Sequence, residues 1–568
     1  MSQKKKIVII GGVAAGPKVG SKISRLCPDA EIILIEKGTF LSYAGCGLPY
    51  YISGVVEDQK ELMCTAIGAV RDPIFFHEVK NVKVFNKMEV ISVNAKLKKI
   101  FVKDYETLEE KEISYDTLVL ATGARPVIPP VEGIKLKNVF TLQTIEDAEG
   151  IKAMLDDGGA KDVVIIGGGL IGVEVTEALA ERGARVTIIE RLPQILPMLD
   201  KELAVHVVRH MEAKGVKIKT QTTVQAIEGS EEVSAVMTDK GRIACDFVIS
   251  AVGVRPNTVL AKESGLKVGK TGGITVNEQM QTSDPNIFAV GDCVESIDLL
   301  TEKPCFVPLG STANKQGRVA ANNICGRHDS FPGVLGSTVC KVFDFNVGRT
   351  GLGEAQAKEE GFDVVSLLSP APDKAHFYPG AKLIFIKLIA DRQSRRLLGF
   401  QAIGPGAVDK RIDVAATAIT AKMTVDQIAN LDLCYAPPYS PAMDNILTAA
   451  NIARNKIDGM YESLTPDEVY EKIIKGEDIV LLDVRSPEEY NEAKIKDSIL
   501  VPLGQLRRRV DELPKDKEII TFCKISLRGY EAALILKSAG FSNVKVMDGG
   551  ILMWPFEKIF PKVTKTVS

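Results

Sequence analysis

The hydrophobic pattern of the chain is punctuated by glycine. The apolar run Ile7-Val8-Ile9-Ile10 stops at Gly11-Gly12-Val13-Ala14-Ala15-Gly16, and a helix carrying Lys18, Lys22 and Arg25 follows. A second apolar run, Glu31 to Ile35, ends in Glu36, 20 residues after Gly16. Strand, glycine turn, helix, strand and terminal acid make a dinucleotide-binding unit. Its helix N-terminus receives a pyrophosphate, and its acid accepts from ribose hydroxyls. Val13 stands where Gly-x-Gly-x-x-Gly has its middle glycine, so this copy is imperfect.

A cleaner copy comes later. Val163 to Ile166 leads into Gly167-Gly168-Gly169-Leu170-Ile171-Gly172, with Glu174 early in the helix, and the strand Arg185 to Ile189 ends in Glu190, 18 residues after Gly172. A carboxylate there accepts from a 2′-hydroxyl and repels a 2′-phosphate, which favours NADH over NADPH. Two units about 150 residues apart carry far more information than either alone, because each brings its own strand, helix and acid.

Other apolar runs also end in chemistry-bearing residues. Leu118 to Leu120 runs into Ala121-Thr122-Gly123, and Phe288 to Val290 runs into Gly291-Asp292. Beside Asp292, Cys293 reads as structural. Pro308 to Arg318 has helical spacing. Asn455 to Glu462 loses apolar pattern and reads as a linker. Thr465-Pro466 then opens a helix as N-cap and first helical residue. The runs Ile479 to Leu482 and Glu518 to Phe522 end in Asp483-Val484-Arg485 and in Cys523-Lys524-Ile525-Ser526-Leu527-Arg528-Gly529. A cysteine at a strand-to-helix turn faces backbone N–H groups and the positive helix end, which favours its thiolate and any anionic adduct.

Bulk properties narrow the classes. A chain of 568 residues holds several domains, and a formal charge of -2 gives no electrostatic reason to expect nucleic acid or an anionic membrane. No run approaches the ~20 apolar residues that span a bilayer, and Ile7 to Ile10 is too short for a signal-peptide core, so a cytoplasmic protein is expected. The ten cysteines include no Cys-x-x-Cys pair, so no metal site is expected and most thiols should be free.

Taken together, residues 1 to 450 resemble the flavoprotein disulfide reductases with two dinucleotide sites. The resemblance implies FAD on Gly11, Gly12, Ala14, Gly16, Glu36, Lys37, Ser42, Ala121, Thr122, Gly123, Gly291 and Asp292, with Asp292 on the ribityl chain. It implies NADH on Gly167, Gly169, Gly172 and Glu190. Ser42-Tyr43-Ala44-Gly45-Cys46-Gly47-Leu48-Pro49-Tyr50 resembles the active segment of coenzyme A disulfide reductases, with Tyr43 and Gly45 replacing the usual Phe and Asn. Dithiol relatives carry a second cysteine where Tyr51 stands, so Cys46 is expected to act alone. A lone thiolate beside a flavin either forms a mixed disulfide or is oxidised to a sulfenic acid. The second fate is that of an NADH oxidase or peroxidase, whose relatives place a histidine by the first glycine loop; the first histidine here is His77. The resemblance also implies Lys18, Lys22, Arg25 and Arg71 on the phosphates of coenzyme A. It implies a homodimer in which Tyr435, of Tyr435-Ala436-Pro437-Pro438-Tyr439-Ser440, reaches the partner's cysteine, with Tyr378 as a second candidate.

Residues 462 to 560 resemble single-domain rhodaneses, through Asp483-Val484-Arg485, the Cys523 to Arg528 loop and Asp548-Gly549-Gly550 with Trp554. The six-residue loop suits a terminal sulfur on Cys523, with Arg528 closing the loop. The expected fold is α/β. A discontinuous FAD domain (1–115 and 255–328) brackets an NADH domain (116–254). An α+β dimerisation domain (329–454), a linker (455–462) and a rhodanese domain (463–568) follow. The expected reaction is NADH-driven reduction of coenzyme A persulfide, polysulfide or coenzyme A disulfide, with Cys523 carrying sulfane sulfur to Cys46.

Overall fold

A computed structural model describes residues 4–156, 158 and 161–560; the first three residues of the expected FAD domain and the last eight of the rhodanese domain lie outside it. The chain forms two compact units, 1–195 with 215–334, and 196–214 with 335–568.

The first unit contains the same construction twice. One parallel sheet runs in the order Ile287–Ala289, Thr117–Leu120, Lys6–Ile10, Glu31–Ile35, Lys83–Phe85. The other runs Val139–Phe140, Phe247–Ser250, Asp162–Ile166, Arg185–Ile189, Lys217–Lys219, also parallel. Each sheet has a three-stranded antiparallel meander at the same point of its sequence, Met88–Asn94 to Glu110–Ser114 in one and Val224–Gly229 to Gly241–Ala244 in the other. The central strands are buried apart from their first residues Lys6 and Asp162, as expected for sheets covered on both faces. Thr117–Leu120 pairs with Lys6–Ile10, so residues 116 to 120 belong with the first sheet and not with the expected NADH domain. The chain crosses into the second half through Ala124–Pro126 and returns through Val254–Pro256, and these two strands pair antiparallel.

The second unit combines two sheets. The first is antiparallel, in the order Thr338–Val342, Phe345–Gly351, Leu397–Gly404, Leu383–Asp391, Val364–Pro372. Helix Lys201–Ala213 belongs to this unit, although its sequence lies inside the expected NADH domain. Side-chain chemistry explains the placement: His206 stacks on Phe385 and His210 on Phe345. Lys387, buried in the sheet, meets Asp200 at 3.0 Å, Glu202 at 2.9 Å and Glu354 at 2.8 Å.

The second sheet is parallel, in the order Glu462–Leu464, Val544–Met547, Glu518–Phe522, Ile479–Asp483, Ile499–Leu500. Thr465 caps helix Pro466–Ile474 in a capping box with Glu468, as the sequence predicts. The expected linker is not an open tether. Residues 455 to 457 are the last turn of helix Asn445–Ile457, and Tyr461 is buried against Tyr530. From the same helix, Lys456 bonds both the Ser366 carbonyl and, at 2.8 Å, the buried Asp548.

The Lys387 cluster generates a prediction. Burial raises the Glu354 carboxyl, but attraction to Lys387, then hydrogen bonds from Lys358, Lys387 and Ser366, outweigh it and hold the pKa at about 2. Because that value lies below the ordinary carboxylate range, its stabilisation is present above about pH 4.5 and is lost as pH falls toward 2. Replacing Lys387→Met strands three carboxylates in the interior and should cost about 3–5 kcal/mol at pH 7. Urea midpoints compared at pH 7 and pH 3 should show the gap from wild type shrinking in acid.

Candidate active sites

Both dinucleotide cradles are built by backbone pressed against backbone. Gly11 has φ of 110° and Gly167 of 109°. A Cβ at Gly11 would lie 2.1 Å from the Ala121 oxygen, and one at Gly167 would lie 2.4 Å from the Ala251 oxygen. Gly16 and Gly172 would collide with the carbonyls of Gly11 and Gly167 at 1.9 and 2.1 Å. Glu36 accepts from the Gly12 N–H at 2.5 Å and the Gly38 N–H at 2.7 Å. Glu190 repeats this with Gly168 and Leu192, both at 2.7 Å. Each carboxylate thus holds its turn closed and still has lone pairs for ribose hydroxyls.

The two middle positions behave differently from the consensus. Gly169 has φ of -76° and its Cβ would meet nothing within 4 Å, which is why Val13 is accommodated at the matching position. The demanding residues are Gly12 and Gly168, whose Cβ atoms would strike Leu41 and Ile195 at 2.8 and 2.5 Å. Ala14 precedes helix Ala15–Leu26 as its N-cap residue. Lys37 is turned to Glu89, at 2.8 Å.

Thr122 donates to the Asn257 carbonyl at 2.7 Å, and Asn257 N–H donates to Gly123, which fixes the Ala121-Thr122-Gly123 turn. Gly291, with φ of 80°, packs against Ala15 and Ala313, and its N–H donates to Gln316. Cys293 is buried and structural, its Sγ bonding the carbonyls of Leu120 and Val290. Asp292 has no hydrogen-bond donor among the described residues, and burial pushes its carboxyl up to about 6. A carboxylate sunk beside a glycine cradle without a donor suits the hydroxyl-rich ribityl chain of FAD. The residues present therefore fit the two nucleotides.

Cys46 occupies the single turn Gly45–Gly47 and is exposed. The turn is stitched to the first cradle and to the segment beneath it. Ser42, at φ of 49°, donates its N–H to Gly12 O, and Ala44 N–H donates to Leu62 O. A Cβ at Gly47 would lie 2.5 Å from the Leu62 Cδ2, so a side chain there would have to displace Leu62. Gly45 has open space, so the asparagine usual in the resembling segment is not excluded by packing. Tyr51, at the second-cysteine position, is buried with Lys152 Nζ 4.2 Å over its ring.

Of the four expected coenzyme A cations, Arg71 is held by the Met63 and Cys64 carbonyls at 2.8 and 2.7 Å, with Ser42 Oγ at 3.4 Å. It therefore braces the Cys46 segment. Lys18, Lys22 and Arg25 lie on helix Ala15–Leu26 and have no ion-pair partner among the described residues. Tyr378 and Tyr435 are both exposed. His77, on helix Pro73–Lys80, is exposed and leans on its neighbour Glu78.

The rhodanese-like loop is enclosed from both sides. Cys523 directly follows its strand and is fully buried, and its carbonyl accepts from Ile551 N–H at 2.9 Å. Gly550, at φ of 57°, supports it from below; a Cβ there would lie 2.4 Å from the Cys523 oxygen. Ser526 takes φ of 95° just before helix Leu527–Ser538. Arg528 reaches Cys523 and makes a two-point ion pair with Glu489, at 2.6 and 2.7 Å. Arg485 grips Asp483 at 2.6 Å and the Glu489 and Ala493 carbonyls, which fixes helix Pro487–Glu492. Sequence reasoning missed Glu489. Ser486-Pro487-Glu488-Glu489 announces a capping box, which the structure contains, but nothing local reveals its contact with Arg528.

Asp292 can be tested directly. Its folded pKa lies above its ordinary value, so its ionisation costs stability from about pH 4 upward and the cost is complete above about pH 6. Asp292→Asn should raise the stability of the flavin-stripped protein by about 1–3 kcal/mol at pH 8 and leave it unchanged at pH 3.5. The same variant should retain less FAD through gel filtration. Thermal scans at the two pH values and the flavin-to-protein absorbance ratio give the answer.

Comparison with known proteins agrees with this geometry. Residues 5–308 match the pyridine nucleotide-disulphide oxidoreductase family, 337–446 its dimerisation domain, and 465–555 a rhodanese-like domain. The chain is 38% identical over 454 residues to an NAD(P)H coenzyme A polysulfide/persulfide reductase of Pyrococcus horikoshii, covering 80% of this chain and 99% of that protein. It is 39% identical, over 80% of this chain and 99% of the relative, to an NADH oxidase of Methanocaldococcus jannaschii. Among solved structures, an NAD-dependent persulfide reductase from A. fulgidus superposes with a TM-score of 0.92 at 45% identity, covering 97% of this chain and 100% of that one. Reduced CoADR-RHD of Bacillus anthracis gives 0.91 at 40%, covering 97% and 98%. The family uses FAD and NAD(P)H. With both nucleotide cradles, the dimerisation domain and the rhodanese-like loop in place, the chain belongs to the pyridine nucleotide-disulphide oxidoreductases, in the form that carries a C-terminal rhodanese-like domain.

Proposed function

We propose that this protein is an NADH-driven reductase of sulfur–sulfur bonds, acting on coenzyme A persulfide, polysulfide or coenzyme A disulfide, with Cys46 as the active thiol and Cys523 as a sulfane-sulfur carrier. The observation that carries this reading is the exposed, free Cys46, with Tyr51 at the second-cysteine position, in the same chain as an intact loop around Cys523. An internal disulfide being unavailable, Cys46 must pair with a sulfur brought from outside. A plain disulfide needs no sulfur carrier, so the tethered rhodanese-like domain favours persulfide; tethering also raises the concentration of one centre at the other.

For a persulfide R–S–SH, the Cys46 thiolate attacks the inner sulfur. The S–S bond breaks, HS⁻ leaves, and a mixed disulfide Cys46–S–S–R remains. Two electrons from NADH and one proton then return Cys46 to thiolate and release R–SH. The sum is R–S–SH + NADH + H⁺ giving R–SH + H₂S + NAD⁺. FAD, when bound, supplies the two-electron relay between nicotinamide and sulfur. Glu36 and Asp292 would hold it, with Gly11, Gly12, Gly16 and the turns at Ala121-Thr122-Gly123 and Gly291; Gly167, Gly169, Gly172 and Glu190 would hold NADH.

Lys18, Lys22 and Arg25 would receive coenzyme A phosphates, with Arg71 bracing the loop. The protein would be a homodimer in which exposed Tyr435, seconded by Tyr378, meets the partner's active cysteine; a phenol can stabilise a thiolate and protonate a departing one. Its free, partly exposed thiols suit the reducing cytoplasm. No helix among the described residues is long and apolar enough to cross a membrane.

Anaerobic NADH oxidation with coenzyme A persulfide, coenzyme A disulfide and polysulfide tests the reading. Cys46→Ser should abolish all three activities, while Cys523→Ser should suppress reactions that deliver sulfane sulfur and spare coenzyme A disulfide. Faster turnover with oxygen or peroxide than with any sulfur substrate would instead establish the oxidase reading, through a Cys46 sulfenic acid. Glu190→Ala should raise the NADPH-to-NADH ratio of kcat/KM by about tenfold or more, the scale of one lost repulsion.

A further inference from the structure

The cations of the Cys523 loop are largely neutralised by built-in partners. Arg528 is bound at two points by Glu489, at 2.6 and 2.7 Å, and Arg485 is bound by Asp483 at 2.6 Å and by two carbonyls. Between Cys523 and Arg528 the loop reads Lys524-Ile525-Ser526-Leu527, so its one further cation is Lys524, which is exposed. Leu527 is exposed as well, which leaves an apolar side chain on the rim. Glu489 is fixed independently of Arg528. It closes the capping box of helix Pro487–Glu492 by accepting from the Ser486 N–H at 3.0 Å, and its own N–H donates to Ser486 Oγ at 3.3 Å. The carboxylate is therefore a permanent part of the loop wall.

We propose that Glu489 is a specificity-determining residue of this loop: by neutralising Arg528 it selects donors whose reacting sulfur carries at most one negative charge on an organic thiol, and disfavours the dianion thiosulfate. This rests on the reading of Cys523 as a sulfur acceptor and adds the donor class. Thiosulfate presents two charges next to the attacked sulfur and needs uncompensated cations in the mouth. A persulfide brings one charge, which the remaining N–H groups of Arg528 and the backbone N–H groups of the loop can meet. With a persulfide, the Cys523 thiolate attacks the terminal sulfur of R–S–S⁻. The S–S bond of the donor breaks, the thiolate R–S⁻ leaves, and Cys523–S–S⁻ remains. With thiosulfate the same attack releases sulfite. Neither step requires an external oxidant or reductant.

Glu489→Gln separates charge from scaffolding, because glutamine serves equally in a capping box. Single-turnover loading of sulfur onto Cys523, followed by peptide mass in the full-length flavoenzyme without NADH, should be run with thiosulfate and with cysteine persulfide as donors. Wild type should load from the persulfide at least about tenfold more efficiently, the scale of one unit-charge interaction near a surface. Glu489→Gln should improve thiosulfate loading by about tenfold, through a lower half-saturating concentration and not a higher maximal rate, and should leave persulfide loading within about twofold. Arg528→Lys serves as the companion variant; it should weaken loading from both donors. An equal fall for both donors in Glu489→Gln, an unchanged preference, or a wild type that uses the two alike would overturn the proposal. Absence of loading from either donor in the wild type would overturn the sulfur-acceptor reading and this inference together, whereas loading with unaltered preference would leave that reading standing.

Discussion

Gly11 passes so close to Ala121 that no side chain fits between them, with 2.1 Å from an added Cβ to the carbonyl oxygen. That contact of bare backbone determines the path of the first turn, and the turn determines much else. Gly12, released from carrying a side chain, lets Glu36 close over it and leaves its carbonyl free for Ser42. Ser42 begins the segment that ends at Cys46. The position of the Cys46 sulfur is thus inherited, hydrogen bond by hydrogen bond, from a glycine more than thirty residues earlier. Repetition at Gly167, Ala251, Gly168 and Glu190 indicates that this is a general solution for cradling a pyrophosphate, used here twice.

The second unit solves a different problem. It buries charge: Lys387 among three carboxylates, Lys456 against Asp548, and Arg485 against Asp483, with Arg528 and Glu489 paired at the half-exposed rim. Removing one member of such a set is far more damaging than the set is stabilising. The arrangement therefore resists partial loss and holds the rhodanese-like sheet on the antiparallel one. Lys456 links them in a single side chain, from the end of one domain's last helix to the aspartate of the other's Asp-Gly-Gly motif. A rhodanese-like domain and a dimerisation domain joined in this way form one compact unit and not two beads on a string.

Much of this was legible in the sequence because it depends on neighbours in the chain. Apolar runs ended by glycine placed both parallel sheets, since a strand buried on both faces needs an unbroken apolar run and a turn needs positive φ. Glu36 and Glu190 follow from strand length alone. Thr465-Pro466 fixed a helix start through local capping. Other features arose only when distant segments met. Helix Lys201–Ala213 joined the antiparallel unit because Lys387 and two phenylalanines lie there. Residues 116 to 120 joined the first sheet because a free edge beside Lys6–Ile10 was available to pair. A side chain is tolerated at position 13 and not at position 12, a distinction set by Leu41 and Glu36 arriving from a later strand and loop. Glu489 met Arg528 across 39 positions of sequence, through a side-chain contact that no periodicity announces. Local geometry is written residue by residue, whereas the pairing of charges waits for the fold to choose which of many possible partners come within reach.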